Sequence, residues 1–106
     1  MAEQAIGKVT HYFTRLGVAG IELHDTLKVG DVVRFRGATS DFAQRASSIQ
    51  IEHQFVQEAG PGSLIGLLVA QRVRPGDTVY RLTGDDAEKA LQELMEDPKE
   101  LDMMTH

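Results

Sequence analysis

The sequence predicts a mostly β domain, an antiparallel barrel or sandwich of short strands, followed by one C-terminal amphipathic helix. Apolar and polar residues alternate in six short segments, and glycine-bearing turns separate those segments. The pattern changes to helical spacing only near the C-terminus. The chain has 106 residues, the size of one domain, and 42% of them are hydrophobic, which is enough for a buried core.

All six predicted strands lie before residue 85. In the first strand, alternation puts Val9, His11 and Phe13 on one side and Tyr12 on the other. The fourth is long, and the Ser47–Ser48 pair indicates a bulge or bend within it. The fifth is apolar on both sides, so we expect it to be the most buried strand. The predicted strands are 6–13, 17–23, 31–36, 42–56, 64–70 and 77–82.

Glycines mark the turns between these strands. Gly30 and Gly76 each come just before a predicted strand, and Pro75 presets the first central angle of a turn. Gly76 then accepts the positive φ that a type II turn requires, and Gly62 offers the same chemistry a third time.

A helix is predicted over residues 85–96. Asp85 and Glu88 have the spacing of a capping box, and Pro98 ends the run. Its apolar residues recur at helical spacing, so they form a stripe that covers the β domain, another copy or a partner. The stripe consists of Ala87, Ala90, Leu91, Leu94 and Met95.

The net charge of −5 is unevenly distributed. Residues 1–84 are nearly neutral, whereas residues 85–106 hold two lysines against eight carboxylates. Most cations of the first segment are arginines, which bind phosphate or carboxylate groups well, although ordinary solvated surface explains them too. Two tyrosines next to cations are candidate stacking platforms or half-buried packing residues. The candidate binding residues are Arg34, Arg36, Arg45, Arg72, Arg74, Tyr12 and Tyr80.

Sequence motifs of catalysis are absent. The chain has no phosphate-binding loop, no dinucleotide fingerprint and no nucleophile elbow. It has no cysteine, and its four histidines lack metal-ligand spacing. We therefore expect no enzyme activity, no catalytic residue, no cofactor and no metal. The lack of cysteine and of any membrane-length apolar run or signal sequence favours a cytoplasmic protein.

The order of turns and strands over residues 5–82 resembles domain 2 of the translation GTPases, such as elongation factor Tu. The resemblance is carried by Ile6-Gly7-Lys8-Val9, by the segment from Leu27 to Val33 and by the segment from Arg72 to Tyr80. The sequence is also similar to stand-alone translation-factor-like proteins and to the C-terminal barrel of collagenase-like peptidase-family enzymes. This resemblance implies a closed six-stranded Greek-key barrel over residues 1–84, with residues 85–106 as an acidic helix and tail.

For function, the resemblance implies a non-catalytic binding module, with no GTP because the GTPase domain is missing. Its partner would be a larger protein or RNA (tRNA or rRNA), in a translation-related or RNA-modification-related role. One alternative is a module for the tRNA acceptor end that its own acidic tail masks. A remote alternative is a subunit that completes an enzyme active site. A closed barrel would not require a second copy, so a monomer is favoured, and the sequence leaves the oligomeric state open.

Overall fold

The structure, a computed structural model, describes residues 3–95, with side chains through residue 92. The strands are β1 (Glu3–Phe13), β2 (Val18–Leu23), β3 (Leu27–Lys28), β4 (Val32–Arg36), β5 (Asp41–Arg45), β6 (Ile49–Ile51), β7 (Gln54–Val56), β8 (Glu58–Ala59), β9 (Leu64–Leu68) and β10 (Thr78–Leu82), and the helix is α1 (Gly84–Met95). No helix within residues 3–95 has the length and apolarity that a membrane span requires.

Eight strands form one antiparallel sheet in the order β5-β4-β10-β1-β2-β9-β6-β7, and β3 pairs separately with β8. Within residues 3–95 no ladder joins the two end strands, β5 and β7, so the sheet is open. The predicted closed six-stranded Greek-key barrel is therefore wrong.

The reason lies in the predicted strand 42–56. It is three strands, β5, β6 and β7, which are separated by a break at residues 46–48 and by a turn at residues 52–53. The break agrees with the bend predicted at Ser47–Ser48. The turn folds β7 back onto β6 as a three-residue end strand, so no long strand remains to close the sheet.

A side chain links the two halves of the open sheet. Gln44 of β5 is buried, and its Nε2 donates a hydrogen bond to the carbonyl oxygen of Leu68 at 2.8 Å. The backbone N–H of Ala70 donates to Gln44 Oε1 at 2.6 Å. One amide thus makes the paired donor and acceptor bonds that a strand ladder would otherwise supply.

The sheet curves around one hydrophobic core. Phe42 of β5 is buried in the same cluster as Ile49 of β6, and Val56 of β7 packs against that cluster. Phe35 is fully buried, and its ring stacks on Phe42 with the ring centroids 5.0 Å apart. Because residues near both edges share one core, the sheet is strongly bent rather than flat.

Two register shifts in β1 change which side chains face this core. They fall between Ala5 and Gly7 against β10, and between Val9 and His11 against β2. Each inserts an extra residue and inverts the alternation that follows it.

The predicted orientations in the second half of β1 are therefore wrong. Val9 is buried as expected, but His11 and Phe13 are exposed on the outer face. Tyr12 packs against the core instead of facing outward.

The helix α1 covers the outer face at one end of the sheet. Ala90 is buried in a second cluster with Val32, Ala43 and Leu82, and Ala87 and Leu91 pack against it. The predicted helix is confirmed, and this part of its apolar stripe covers the sheet. The predicted roles of Leu94, Met95, Pro98 and the acidic tail lie outside the side chains that the structure describes.

The turn prediction is confirmed at the glycines. Gly30, Gly62 and Gly76 have φ values of 99°, 85° and 96°. Glycine adopts these positive angles without the steric cost that other residues incur.

Candidate functional site

The other end of the sheet carries a concave apolar groove on its outer face. The groove crosses β1, β2, β9, β6 and β7 and has a volume of about 920 Å³. Among the described residues, five large hydrophobic side chains are exposed, with 49–73% of their surface accessible to solvent. All five line this groove. They are Phe13, Leu16, Phe55, Leu64 and Leu68. Scattered exposed apolar residues are ordinary, but a contiguous set in one concavity indicates a binding site.

The floor of the groove is one transverse row of residues. Strand registers pair His11 with Gly20, Gly20 with Gly66, Gly66 with Gln50, and Gln50 with Phe55. Two adjacent positions of this five-strand row, the second and the third, therefore have no side chain. Because Gly20 and Gly66 have no side chains, the surface of the sheet is lower there than at the apolar residues on either side.

Backbone conformation does not require glycine at these two positions, because neither Gly20 nor Gly66 has a positive φ. A Cβ at Gly20 would lie 3.3 Å from His11 Cβ, and one at Gly66 would lie 3.3 Å from Val18 Cγ1. Glycine inside an element costs about 0.5–1 kcal/mol relative to alanine. Such a residue in a strand often marks a close approach of a ligand or another backbone.

The first wall of the groove comes from β1 and the turn after it. The bulge at Val9/His11 turns His11 and Phe13 outward, and their rings stack with centroids 6.0 Å apart and planes at 16°. Leu16 extends this wall from the turn between β1 and β2.

The opposite wall is the β6–β7 hairpin. Its two turn residues, Glu52 and His53, have φ values of 49° and 66°. A two-residue turn with both φ positive is type I′, which favours Asn-Gly, so Glu and His there are strained by about 1–3 kcal/mol each. The hairpin holds Phe55 at the groove with 73% of its surface exposed.

Charge is nearly absent from the groove. Glu52 is the one carboxylate among its lining residues, which include no lysine or arginine. His11 and His53 are the other titratable groups, and they lie on opposite walls. This lining suits an apolar partner and offers no cation for a phosphate.

The sequence-predicted site residues lie elsewhere. Arg34 and Arg36 project from β4 beside Tyr80 of β10, which pairs with Arg34. The Arg34 Nε atom lies 2.8 Å from Asp41 Oδ1, and Arg36 Nη1 lies 3.2 Å from Glu3 Oε1. The Arg36 guanidinium also lies over the Tyr80 ring, 5.4 Å from its centroid.

The hydrogen bond from Arg34 lowers the pKa of Asp41 below its ordinary value of 3.8, and the charges of Arg34 and Arg36 act in the same direction. The remaining predicted residues do not join this group as one set. Arg45 donates to the carbonyl oxygen of Gly30 at 3.0 Å, Arg72 and Arg74 are exposed between β9 and β10, and Tyr12 packs on the core.

A second depression, of about 520 Å³, is polar. Arg81 donates to Gln4 Oε1 at 3.0 Å and to the carbonyl oxygen of Thr26, and its Nη2 lies 3.4 Å from Asp25 Oδ2. These groups satisfy one another and tie β10 to the loop after β2. Residues 3–95 hold no cluster of three or more side chains able to bind a metal.

Sequence reasoning missed the groove, although one signal was present. The segment 64–70 is apolar on both sides, and we predicted it to be the most buried strand. Its inner residues, Ile65 and Leu67, are buried, whereas Leu64 and Leu68 are 66% and 49% exposed. Two-sided apolarity in this strand therefore reflects an exposed apolar outer face rather than complete burial.

The fold and the groove define a small, mostly β domain with an apolar face that none of residues 3–92 covers with a side chain. No protein-family model matches the chain. The chain is 37% identical over 78 residues to an uncharacterised protease of Methanocaldococcus jannaschii, covering 73% of this chain and 19% of that protein. It is 38% identical over 78 residues to a collagenase of Porphyromonas gingivalis, covering 72% and 22%. The chain thus spans about a fifth of the length of these relatives.

The fold is also similar to a solved structure. This is the C-terminal domain of a Geobacillus thermoleovorans protein described as a U32 peptidase, with a TM-score of 0.71 at 22% sequence identity. The match covers 76% of this chain and 93% of that domain.

The similarity is therefore to the C-terminal domain of U32 peptidase and collagenase proteins, and the resemblance to translation GTPases is wrong. The prediction of a translation-factor-like domain is wrong as well. Glycine-bearing turns between short strands carried that resemblance, and such turns specify local hairpins in many β folds rather than one family.

Proposed function

We propose that this chain is a non-catalytic accessory domain, similar to that of U32 peptidases, and that it holds a polypeptide partner through the apolar groove. The observation that carries the proposal is the gathering of all five large exposed hydrophobics of residues 3–95 in one concavity. Removal of apolar surface from water is the dominant favourable contribution to most protein–protein association.

The comparisons support the accessory part of the proposal. The chain matches about a fifth of each protease or collagenase relative, so most of each relative lies outside the matched segment. The matched fold corresponds to 93% of a C-terminal domain whose structure was solved separately. A segment of this kind is suited to positioning a larger chain or its substrate rather than to performing the chemistry itself.

The composition of the groove supports the non-catalytic part. Glu52, His11 and His53 are its titratable groups, and the two histidines lie on opposite walls. General acid–base or nucleophilic catalysis needs such groups within hydrogen-bond reach of one reacting atom. No hydrogen bond joins any two of these three side chains in the described residues.

A chimera tests this function. The 78-residue matched segment of the P. gingivalis collagenase is replaced by the matched segment of this chain, and cleavage of collagen is measured. We expect the chimera to cleave collagen and this chain alone to cleave none. Collagen cleavage by this chain alone contradicts the non-catalytic role, and a folded but inactive chimera contradicts the accessory role.

Two variants of the chimera assign the effect to the groove. Phe55→Ser removes the most exposed groove residue, and Arg72→Ser changes an exposed residue outside the groove. We expect the first to lower collagen cleavage by at least about tenfold, as a hot-spot residue does, and the second to leave it unchanged. Equal effects of both variants would argue against the groove.

Binding of a labelled total-tRNA pool distinguishes the RNA alternative. The groove has no lysine or arginine, so we expect no salt-sensitive change in fluorescence anisotropy through it. Tight binding that Arg34→Ser or Arg36→Ser abolishes would favour RNA over a polypeptide partner.

A further inference from the structure

We propose that the occupant of the groove is an amphipathic α-helix of a partner polypeptide, which lies along the strands between the two walls. Its apolar stripe contacts both walls, and one large apolar side chain of that stripe fills the depression over Gly20 and Gly66. This inference rests on the proposed function and names the kind of partner segment that the groove holds.

The separation of the two walls fits a helix. The first wall projects from β1 and the opposite wall from the β6–β7 hairpin, and β2, β9 and β6 lie between β1 and β7. Four strand spacings of about 4.8 Å place the walls about 19 Å apart. A van der Waals contact of about 3.5–4.0 Å with each wall leaves about 12 Å between them. An α-helix with its side chains is about 10–12 Å wide, so it fills this space.

A single extended segment would leave one wall in water. Phe13 and Leu16 belong to the first wall and Phe55 to the opposite wall, and the two exposed leucines of β9 project between them. A single extended chain occupies one strand spacing of about 4.8 Å, so it contacts one wall at a time. Removal of all five side chains from water therefore requires an occupant about as wide as a helix.

The floor offers a socket for one side chain of such a helix. Along β9, Leu64, Gly66 and Leu68 face outward in succession, so the two leucines lie about 14 Å apart with a glycine between them. Gly20 is paired with Gly66 and extends the depression into β2. A helix rises about 5.4 Å per turn, so about three turns span this distance. The middle turn carries the large side chain.

The same outer face already holds a helix at its other end. Ala90 of α1 is buried against Val32, Ala43 and Leu82 of the sheet. A partner helix in the groove would extend this helical layer to the second apolar patch, which favours a helix over a β-hairpin of similar width. The groove lining has one carboxylate, that of Glu52, and no lysine or arginine, so the contacting face of the partner helix is apolar.

Selection from a phage library tests this proposal on the full-length protein. The library displays random peptides of about 16 residues, because shorter isolated helices are marginal in water. We expect enriched peptides with apolar residues at i, i+3, i+4 and i+7, which is the spacing of one helix face. The absence of enrichment would overturn the proposal. So would enrichment of peptides with apolar residues at alternate positions, as in an extended strand or a hairpin.

Three groove variants then test how the selected peptide, carrying a fluorescent label, is held. Phe13→Ser alters the first wall and Phe55→Ser the opposite wall, and we expect each to weaken binding at least about tenfold because the helix contacts both. Gly66→Ala places a Cβ in the depression, and we expect a loss of at least about threefold. Gln54→Ser is the control, since Gln54 is exposed on β7 outside the groove lining and should leave binding unchanged. Weaker binding with only one wall variant indicates a narrower occupant and would overturn the proposal.

The conformation of the bound peptide is a second readout. We expect a helical circular dichroism spectrum when the spectrum of the protein is subtracted from that of the complex, and a β-type or unordered difference would overturn the proposal. Thermal unfolding shows whether each variant is folded, and Leu16→Ser replaces Phe13→Ser in the first wall if that variant is not. A wild-type dimer in sedimentation that Phe55→Ser dissociates would overturn the partner helix in favour of a second copy of this chain.

Failure of this proposal is distinct from failure of the proposed function. An active collagenase chimera without any selected helical peptide would retain the accessory role and reject the helix. An inactive chimera would reject the accessory role, and peptide binding that both wall variants weaken would still support a helix in the groove.

Discussion

The two ends of the sheet differ in how far their outer apolar residues are exposed to solvent. At the β5–β4–β10 end, Val32, Ala43 and Leu82 are at most 8% exposed because α1 lies over them. At the β1–β2–β9–β6–β7 end, Leu64 and Leu68 project from the same curved sheet, and no described residue covers them. Within residues 3–95, the sheet thus has one outer apolar patch that a helix covers and a second that is exposed. Among these residues, the exposed patch lacks the second apolar surface that α1 provides at the other end.

The same substitution at each end gives the largest contrast. Leu82→Ala removes a side chain that is 4% exposed under α1, so we expect a loss of about 2–5 kcal/mol in the free energy of unfolding. Leu64→Ala removes a side chain that is 66% exposed, and we expect a change within about 0.5 kcal/mol. Urea unfolding of both variants measures the difference. A large loss for Leu64→Ala would mean that the groove is covered within the free protein.

Breaking the link between the two halves should have the next largest effect. Gln44→Ala removes both hydrogen bonds to residues 68–70, so we expect a loss of about 1–3 kcal/mol in the free energy of unfolding. Gln54→Ala, at an exposed position on β7, is the control and should change it by less than about 0.5 kcal/mol. Urea unfolding again provides the values. If the two glutamine variants matched, the halves would be held together without the Gln44 side chain.

The hairpin wall of the groove should gain stability when its turn is optimised. Replacing Glu52 and His53 by Asn-Gly relieves two positive-φ residues, so we expect the free energy of unfolding to rise by about 1–2 kcal/mol. Thermal unfolding measures the gain, with Glu58→Asn outside the turn as a control. An unchanged melting temperature would show that this turn carries no strain.

The smallest effect is expected at an ion pair near the covered end. The hydrogen bond from Arg34 lowers the pKa of Asp41, so its stabilising contribution is complete above the ordinary value of 3.8 and is lost as pH falls through the lowered value. We expect Asp41→Asn to cost less than about 1 kcal/mol near neutral pH, since the pair is exposed to solvent. Unfolding curves of both proteins should converge at acid pH, and a gap that widens there would contradict this assignment.

Local signals predicted the parts of the fold that short segments determine. The glycines at 30, 62 and 76 marked real turns, and the spacing of Ala87, Ala90 and Leu91 marked the helix face that packs on the sheet. These features depend on a residue's own φ or on neighbours one helical turn away. These features can therefore be predicted from the sequence without the tertiary structure.

Other features depend on distant segments of the chain and could not be predicted from the sequence. Whether the outer side of β9 is covered depends on α1, which lies over the other end of the sheet. The turn at Glu52–His53 uses residues with weak turn preference, so only the surrounding strands define it. Closure of the sheet depends on whether β5 meets β7, and alternation within each strand carries no information on that pairing.

The second extra residue in β1 determines which side chains of this strand face the groove. Val9 is paired with Ile21 and His11 with Gly20, so Thr10 is the residue without a place of its own in the ladder. Deleting Thr10 would leave His11 and Phe13 on the outer wall, whereas pairing every residue in strict succession would exchange Phe13 with Tyr12. In an alignment of relatives, a single gap at this position would accordingly preserve the binding face. A relative that keeps all of these amino acids but pairs them as a regular strand would turn Tyr12 outward and Phe13 inward. It would therefore lose the apolar wall of the groove.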